Sequence, residues 1–236
     1  MERRTFGGDA DGAEDLVFVL GWGNKLFHEN VRWLVDELVD AGYRVHAFRI
    51  PTTIRDFRSE YVEPVAEFVR DLDGYRLLSH STGGLIAAHL DGATRRVYLS
   101  PFWGFPEGPE EPLYDLLAKL PVSAELLPAG TADREALGDL ATDRQLETGA
   151  DAAAPTWIRE CLDAQANLPP IDDDAVVFCS LRDRVVSTRA IGERVPADRV
   201  VLYDGGHELF SSSSRERHLP TLLAALEEGA AAVRER

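Results

Sequence analysis

The sequence predicts an α/β protein: a mostly parallel sheet of about six strands with helices on both faces, interrupted after the fourth strand by a helical insertion. Three observations carry this. Wholly apolar runs at 16–20 and 175–179 have the pattern of strands buried on both faces, as in a parallel sheet. Helical periodicity separates such runs, so strand and helix alternate. The alternation stops at Pro101 and resumes near Ala175, leaving 102–170 outside it.

Taken in order, 1–14 is polar and glycine-containing and reads as a loose arm or a poor edge strand. Residues 16–20 form the first core strand and end in the turn Gly21-Trp22-Gly23-Asn24. Between 28 and 41, Val31, Leu34, Val35, Leu38 and Val39 recur at three and four, which makes an amphipathic helix; Gly42 closes it. A second strand spans 44–50 and Pro51 ends it. A helix over 61–72 buries Val62, Val65, Phe68, Val69 and Leu72. A third strand, 75–78, runs into Ser79-His80-Ser81-Thr82-Gly83-Gly84 and a helix over 84–90. Residues 96–100 are the fourth strand. Connections this short between parallel strands are right-handed and cover both sheet faces. The insertion reads as helices at 113–120, 134–140 and 156–166, with no strand. Strands at 175–180 and 199–203 and a helix at 219–233 complete the chain, with Ser211 to Ser214 as the loop into that helix. The core is thus 1–101 with 171–236.

Among the 236 residues, 41 acids against 25 bases give a net charge of −16, and only Lys25 and Lys119 are lysines. Acids spread along the whole chain argue against nucleic-acid and anionic-membrane partners, which require basic faces. The same composition suits high internal salt, where screening removes self-repulsion; a GC-rich genome would explain the arginines but less well the acidity. No apolar run approaches the ~18 residues of a membrane helix. The N-terminus lacks the apolar stretch of a signal peptide, so a cytoplasmic location is expected. Cys161 and Cys179 are then expected as reduced thiols, and neither has metal-ligand spacing.

The chemistry gathers at strand ends. Strand, sharp turn with a central serine, then helix is the geometry of a nucleophile elbow, whose tightness demands small residues two before and two after the serine. Ser79 and Gly83 meet that demand around Ser81. A serine needs a base, and the base an orienting acid. Asp183 follows the fifth strand and His207, behind Gly205-Gly206, follows the sixth, so all three fall at carboxyl ends of strands, where active residues converge. Singly, each is an ordinary turn, ion-pair or surface residue; the conjunction is what points to catalysis. Rivals read as structural: His80 flanks the elbow and should point away from it, His46 is mid-strand, and His89 is on the elbow helix. Asp204 lies too close to the strand end, Glu208 should point outward, and Asp172 to Asp174 should be a solvated turn. His28 either opens its helix or contacts substrate, the first being favoured. Phe102 and Trp103, just past a strand end, are the residues expected nearest substrate. Trp103, Phe105, Leu113, Tyr114, Leu117, Leu126, Leu127, Trp157, Ile158 and Leu162 would either line an apolar pocket or pack the insertion.

With the chain order Ser81, Asp183, His207, the sequence resembles the α/β-hydrolase family, in particular small members with a helical lid, here 102–170. The resemblance runs from Leu16 to the final helix and rests on Ser79-His80-Ser81-Thr82-Gly83-Gly84, on Asp183 with Val185-Val186, and on Gly205-Gly206-His207. It implies that Gly21-Trp22-Gly23-Asn24 is the oxyanion loop, that the Trp22 and Thr82 amides form the oxyanion hole, and that Gly21 and Gly23 lie against substrate. The histidine often found before that loop is replaced by Leu20, and the strands that usually precede the first core strand are missing or vestigial. The implied reaction is hydrolysis of a carboxylic ester, thioester or related acyl bond of a small molecule through an acyl-enzyme, with no metal or organic cofactor. Carbon–carbon hydrolysis, aminopeptidase or acyltransferase chemistry, or a non-catalytic ligand receptor, remain as alternatives. Nothing in the sequence marks an oligomeric state.

Overall fold

The computed structural model describes residues 1–8, 12–107, 116–128 and 133–234. Its main sheet has seven strands: β1 (Glu2–Phe6), β2 (Glu14–Val19), β3 (Tyr43–Arg49), β4 (Tyr75–His80), β5 (Ala93–Leu99) and, beyond a two-stranded ribbon of β6 (Leu127–Pro128) with β7 (Ala152–Ala153), β8 (Val176–Cys179) and β9 (Val200–Leu202). The spatial order is β1-β3-β2-β4-β5-β8-β9. All neighbours are parallel except β1, which runs antiparallel to β3 with Glu2 opposite Arg49 and Phe6 opposite Val45.

Alternate side chains of one strand serve two cores. In β2, Leu16 and Phe18 face one side and Val17 and Val19 the other, all fully buried, which is why the run is apolar throughout rather than alternating. The first face is covered by α1 (Glu29–Asp40), through Val31, Leu34, Val35 and Leu38. The second is covered by α2 (Glu63–Val69), with Val65 and Val69, and α3 (Thr82–Ala88), with Leu85 and Ile86. The described part of 102–170 adds α4 (Arg134–Leu137), α5 (Asp143–Thr148) and α6 (Pro155–Ala166). Trp157, Ile158 and Cys161 of α6 join the second core. After β8, α7 (Thr188–Gly192) buries Ile191 in that core, and α8 (Arg215–Glu228) buries Leu222, Ala225 and Leu226 in the first. A single turn, α9 (Ala231–Arg234), ends the described chain. Among the described residues no helix is long and apolar enough to cross a membrane.

Of the two readings of the N-terminal arm, the edge strand holds: it pairs with β3, brings the sheet to seven strands and precedes the first core strand, with the Glu2 carboxylate on Arg49 Nε (2.9 Å) securing that edge. Three expectations are corrected. The helix expected over 61–72 starts earlier, in a π-type turn (Arg58–Val62), and ends at Val69. The final helix is broken at Gly229, whose φ of +63° lets its N–H close α8 onto Ala225 O at 3.0 Å. The insertion contains the β6–β7 ribbon and α5, neither of which its sequence pattern announces. Part of the helix expected over 113–120, with Leu113 and Tyr114, lies outside the described residues.

The topology sets where a site can form. From β2 the chain moves outward to β3, then crosses back to β4 on the other side of β2. Between the ends of β2 and β4 the loops diverge, and such a switch point leaves a crevice at the carboxyl edge of the sheet. Trp22 follows β2 and Ser81 follows β4, one on each side of it.

Candidate active site

Ser81 has φ +53°, a left-handed conformation that costs a non-glycine residue about 1–3 kcal/mol. The surroundings hold it there. Its N–H donates to Leu99 O (3.0 Å), and its carbonyl accepts from the N–H groups of Gly84 (2.7 Å), Phe102 (2.9 Å) and Leu85 (3.3 Å). The turn leaves no room for side chains beside it. A Cβ on Gly83 would collide with the Val19 and Leu20 carbonyls, and one on Gly84 would come within 2.7 Å of the Pro101 Cβ. Ser79 is fully buried, so its smallness answers the same crowding.

The loops after β8 and β9 converge on this turn. Asp183 Oδ1 accepts from the N–H groups of Val185 (2.8 Å) and Val186 (3.1 Å), and its Oδ2 accepts from His207 Nδ1 at 2.8 Å. Burial alone would raise the Asp183 carboxyl, but the His207 charge and hydrogen bond, with the two amides, bring it below the usual carboxylate range. Burial likewise pushes His207 down, and the Asp183 charge and hydrogen bond, helped by Glu208, outweigh it and raise the imidazole. The His207 loop is pinned from two sides. His207 N–H donates to Ala136 O (2.7 Å) and Glu208 N–H to Leu137 O (2.8 Å), both on α4. The Tyr203 hydroxyl, 2.8 Å from both the Gly206 and His207 carbonyls, forks its proton between them. Gly206 cannot be larger here, because a Cβ would stand 2.7 Å from Ala136 O.

Ser81, Thr82, His207 and Trp22 open on one cavity of about 590 Å³. No acceptor for the Trp22 or Thr82 backbone N–H lies among the described residues; Thr82 is the first residue of α3, where helix N–H groups have no internal partner. One wall is aromatic. Trp22 lies against Trp157 (5.0 Å between ring centres), Trp157 stacks on Phe102 (5.8 Å) and Phe102 meets Phe105 edge-on (4.7 Å). The indole N–H of Trp22 is taken by Thr52 O (2.8 Å) and that of Trp157 by the Tyr61 hydroxyl (3.1 Å). Leu117, Leu127, Leu146, Ile158 and Val185 extend the apolar lining.

Other expected contacts divide. Gly23 lines the cavity, and its φ of +83° requires glycine. Gly21 does not; it packs on His80, whose Nδ1 would be 2.5 Å from a Cβ there. Trp103 does not either. It is 1% exposed beneath the elbow helix, its indole N–H on Gly84 O (3.2 Å) and its ring against Tyr98. Leu126 is exposed to solvent and Leu162 packs into the core.

The buried polar residues behind the cavity depart most from expectation. Glu208 does not point outward; it is 2% exposed and receives Asn24 Nδ2 (2.8 Å), Gln145 Nε2 (2.5 Å) and Ser211 Oγ (2.5 Å). His80 does not point away. Its ring lies 4.8 Å from that of His207 and its Nδ1 is 3.0 Å from Asn24 Oδ1. Burial, then repulsion by His207, holds His80 well below the ordinary histidine range, hence neutral. His28 opens its helix, the favoured reading. It sits at the N-cap of α1 and lines the cavity, with its Nδ1 accepting from Lys25 N–H (3.2 Å) and its Nε2 on Thr148 Oγ1 (3.0 Å). Burial brings it down to about 4.

The remaining rivals are structural. His46 ties Thr5 of β1 to Asp15, and His89 packs on Phe57. Arg182 pairs with Asp204 rather than Asp183. Asp172 to Asp174 form a solvated turn in which Asp174 accepts from Ala230 N–H at 3.0 Å. Both cysteines are free and buried. Among the described residues no cluster of His, Cys, Asp and Glu could hold a metal ion.

Comparison with known proteins gives three findings. Residues 16–217 match the alpha/beta hydrolase family. No curated protein sequence matches the chain. Among solved structures, the monoacylglycerol lipase of Paleococcus ferrophilus superposes with a TM-score of 0.74 at 18% identity, over 98% of both chains. A soluble variant of the Saccharomyces cerevisiae monoglyceride lipase gives 0.76 at 13% identity, over 95% of this chain and 90% of the other. An esterase of Exiguobacterium antarcticum gives 0.68 at 16%, over 95% and 94%. At these identities the likeness is one of fold.

Proposed function

The chain belongs to the alpha/beta hydrolase family, and on that premise we propose that it is a serine hydrolase of small carboxylic esters, thioesters or related acyl compounds. Ser81 attacks the acyl carbonyl while His207 Nε2 takes its proton. Asp183 keeps the His207 proton on Nδ1 and steadies the imidazolium. The N–H groups of Trp22 and Thr82 receive the developing oxyanion, a contribution of several kcal/mol for such donors in a dry site, about 3 kcal/mol each. His207 then protonates the leaving group, and water, deprotonated by the same base, releases the acid. The observation that carries this reading is the strained, backbone-pinned Ser81 sharing one cavity with a buried His207–Asp183 pair.

The aromatic wall supports an apolar acyl or alkyl group in the substrate, and 102–170, which supplies Phe102, Phe105 and Trp157 to it, is read as the lid. The solved neighbours described as monoacylglycerol lipases and an esterase are in keeping with ester chemistry. Turnover of p-nitrophenyl esters of increasing acyl length is the test. Hydrolysis that improves as the acyl group lengthens beyond acetyl is expected; binding of such esters without turnover would instead make the protein a receptor.

The acidic, lysine-poor composition is read as adaptation to salt in the cytoplasm. Unfolding midpoints should rise between about 0.1 M and about 3 M KCl, as screening shortens the reach of like-charge repulsion from ~10 Å to under ~3 Å. A midpoint that stays level or falls contradicts this reading.

A further inference from the structure

The serine-hydrolase reading accounts for Ser81, His207, Asp183 and two backbone amides, but not for the carboxylate buried beside them. Glu208 meets three donors from three places in the chain: Asn24 in the turn after β2, Gln145 on α5 and Ser211 before α8. No lysine, arginine or histidine pairs with it among the described residues. Its own N–H is spent on Leu137 O.

Hydrogen-bond accounting makes this arrangement directional. An ionised carboxylate only accepts, so Asn24 must turn its NH₂ group to Glu208. That leaves the Asn24 carbonyl oxygen for His80, 3.0 Å away. His80 is neutral, so it must carry its proton on Nδ1 to donate there. Gln145, likewise obliged to give its NH₂ to Glu208, keeps its carbonyl for Asn30 Nδ2 at 3.2 Å. One carboxylate thus fixes two amide orientations and one tautomer. The pieces it joins are the turn bearing Trp22, the residue before Ser81, the residue after His207, and α5.

From this geometry we infer that Glu208 is a positioning residue: through Asn24 and His80 it locks the Trp22 turn to the elbow and the His207 loop, so that oxyanion donor, nucleophile and base keep one spacing. The inference rests on the serine-hydrolase reading. A misplacement of about 1 Å between such parts costs on the order of 100-fold in rate.

The test is the exchange of Glu208 with Gln145. In Glu208→Gln, at least one amide N–H faces a donor, and the orientation of Asn24 is no longer imposed. With a p-nitrophenyl ester, kcat should fall roughly 10- to 100-fold while KM stays within about twofold, since the aromatic wall is untouched. Adding Gln145→Glu restores the pattern with the partners reversed. The new amide at position 208 then accepts from Asn24 and donates to the new carboxylate at position 145, which still accepts from Asn30, while Ser211 turns its hydroxyl to accept. This double variant should recover kcat to within about threefold of the natural enzyme.

The pH profile adds a readout that simple loosening would not move. The groups facing His207 are Asp183, Glu208, the neutral His80 ring and the Tyr203 hydroxyl. Loss of the Glu208 charge should therefore carry the acid limb of kcat/KM to lower pH. A Glu208→Gln enzyme with unchanged kcat and an unchanged acid limb overturns the inference, as does a folded double variant as slow as the single one. Should Glu208→Gln not fold, the double variant alone decides by the same threefold criterion. The two readings fail separately: an unreactive Ser81 in the natural protein removes the hydrolase reading, whereas a reactive Ser81 indifferent to Glu208 removes only the clamp.

Discussion

Ser81→Ala is expected to abolish ester turnover, with kcat falling on the order of 10⁶-fold, the scale on which loss of a triad nucleophile acts. The fold should survive. Alanine deletes one hydroxyl from a side chain whose neighbours are held through its backbone: the bonds from Ser81 N to Leu99 and to Ser81 O from Gly84, Phe102 and Leu85 do not involve Oγ. Thermal unfolding of the variant should match that of the natural protein, and apolar esters should still bind in the cavity. Residual turnover at a tenth of the natural rate would mean that another group carries the chemistry.

Asp183→Asn is expected to cost about 10⁴-fold in kcat, or ~5.5 kcal/mol of barrier. The reason lies in the amides around it. Val185 and Val186 N–H groups both point at Oδ1, so an asparagine must put its carbonyl there and its NH₂ toward His207 Nδ1. That NH₂ can only donate. His207 would then hold its proton on Nε2, the atom that the proposed mechanism needs as a base. The pH profile gives the sign. Burial pulls the His207 imidazolium down, and Asp183, by charge and hydrogen bond, is the main group raising it above the ordinary histidine value. The natural enzyme, which needs neutral His207, should lose activity as pH falls through a value above 6.5. In the variant burial acts unopposed by that charge, so the residual activity should persist to lower pH. An acid limb that stays in place would mean that Asp183 does not govern the imidazole.

Much of the fold is legible because burial on both sheet faces leaves a local mark. Residues 16–20 could be nothing but a covered strand, and the three-and-four spacing of Val31, Leu34, Val35 and Leu38 fixes α1. The edge strand β1 leaves no such mark. Its polar Glu2-Arg3-Arg4-Thr5 becomes a strand only through pairing with β3, a contact over forty residues away in sequence. The tight turn at Ser81 and the loops bearing Asp183 and His207 are legible because each follows a strand. Glu208 is not. An acid after a histidine ordinarily faces water, and what buries this one is the convergence of Asn24, Gln145 and Ser211, which no local pattern records. Trp103 misleads for a related reason: its position past a strand end suggests the crevice, yet its indole N–H donates to Gly84 O under α3 and its ring packs on Tyr98.

Labelling the folded protein with a fluorophosphonate and locating the adduct by peptide mass spectrometry tests the account most directly, because that reagent reacts with a serine only when an adjacent base and oxyanion donors activate it. A single adduct on Ser81, absent when His207 is replaced by alanine, is the expected result. A folded protein that takes no label, or takes it on a serine other than Ser81, would contradict it.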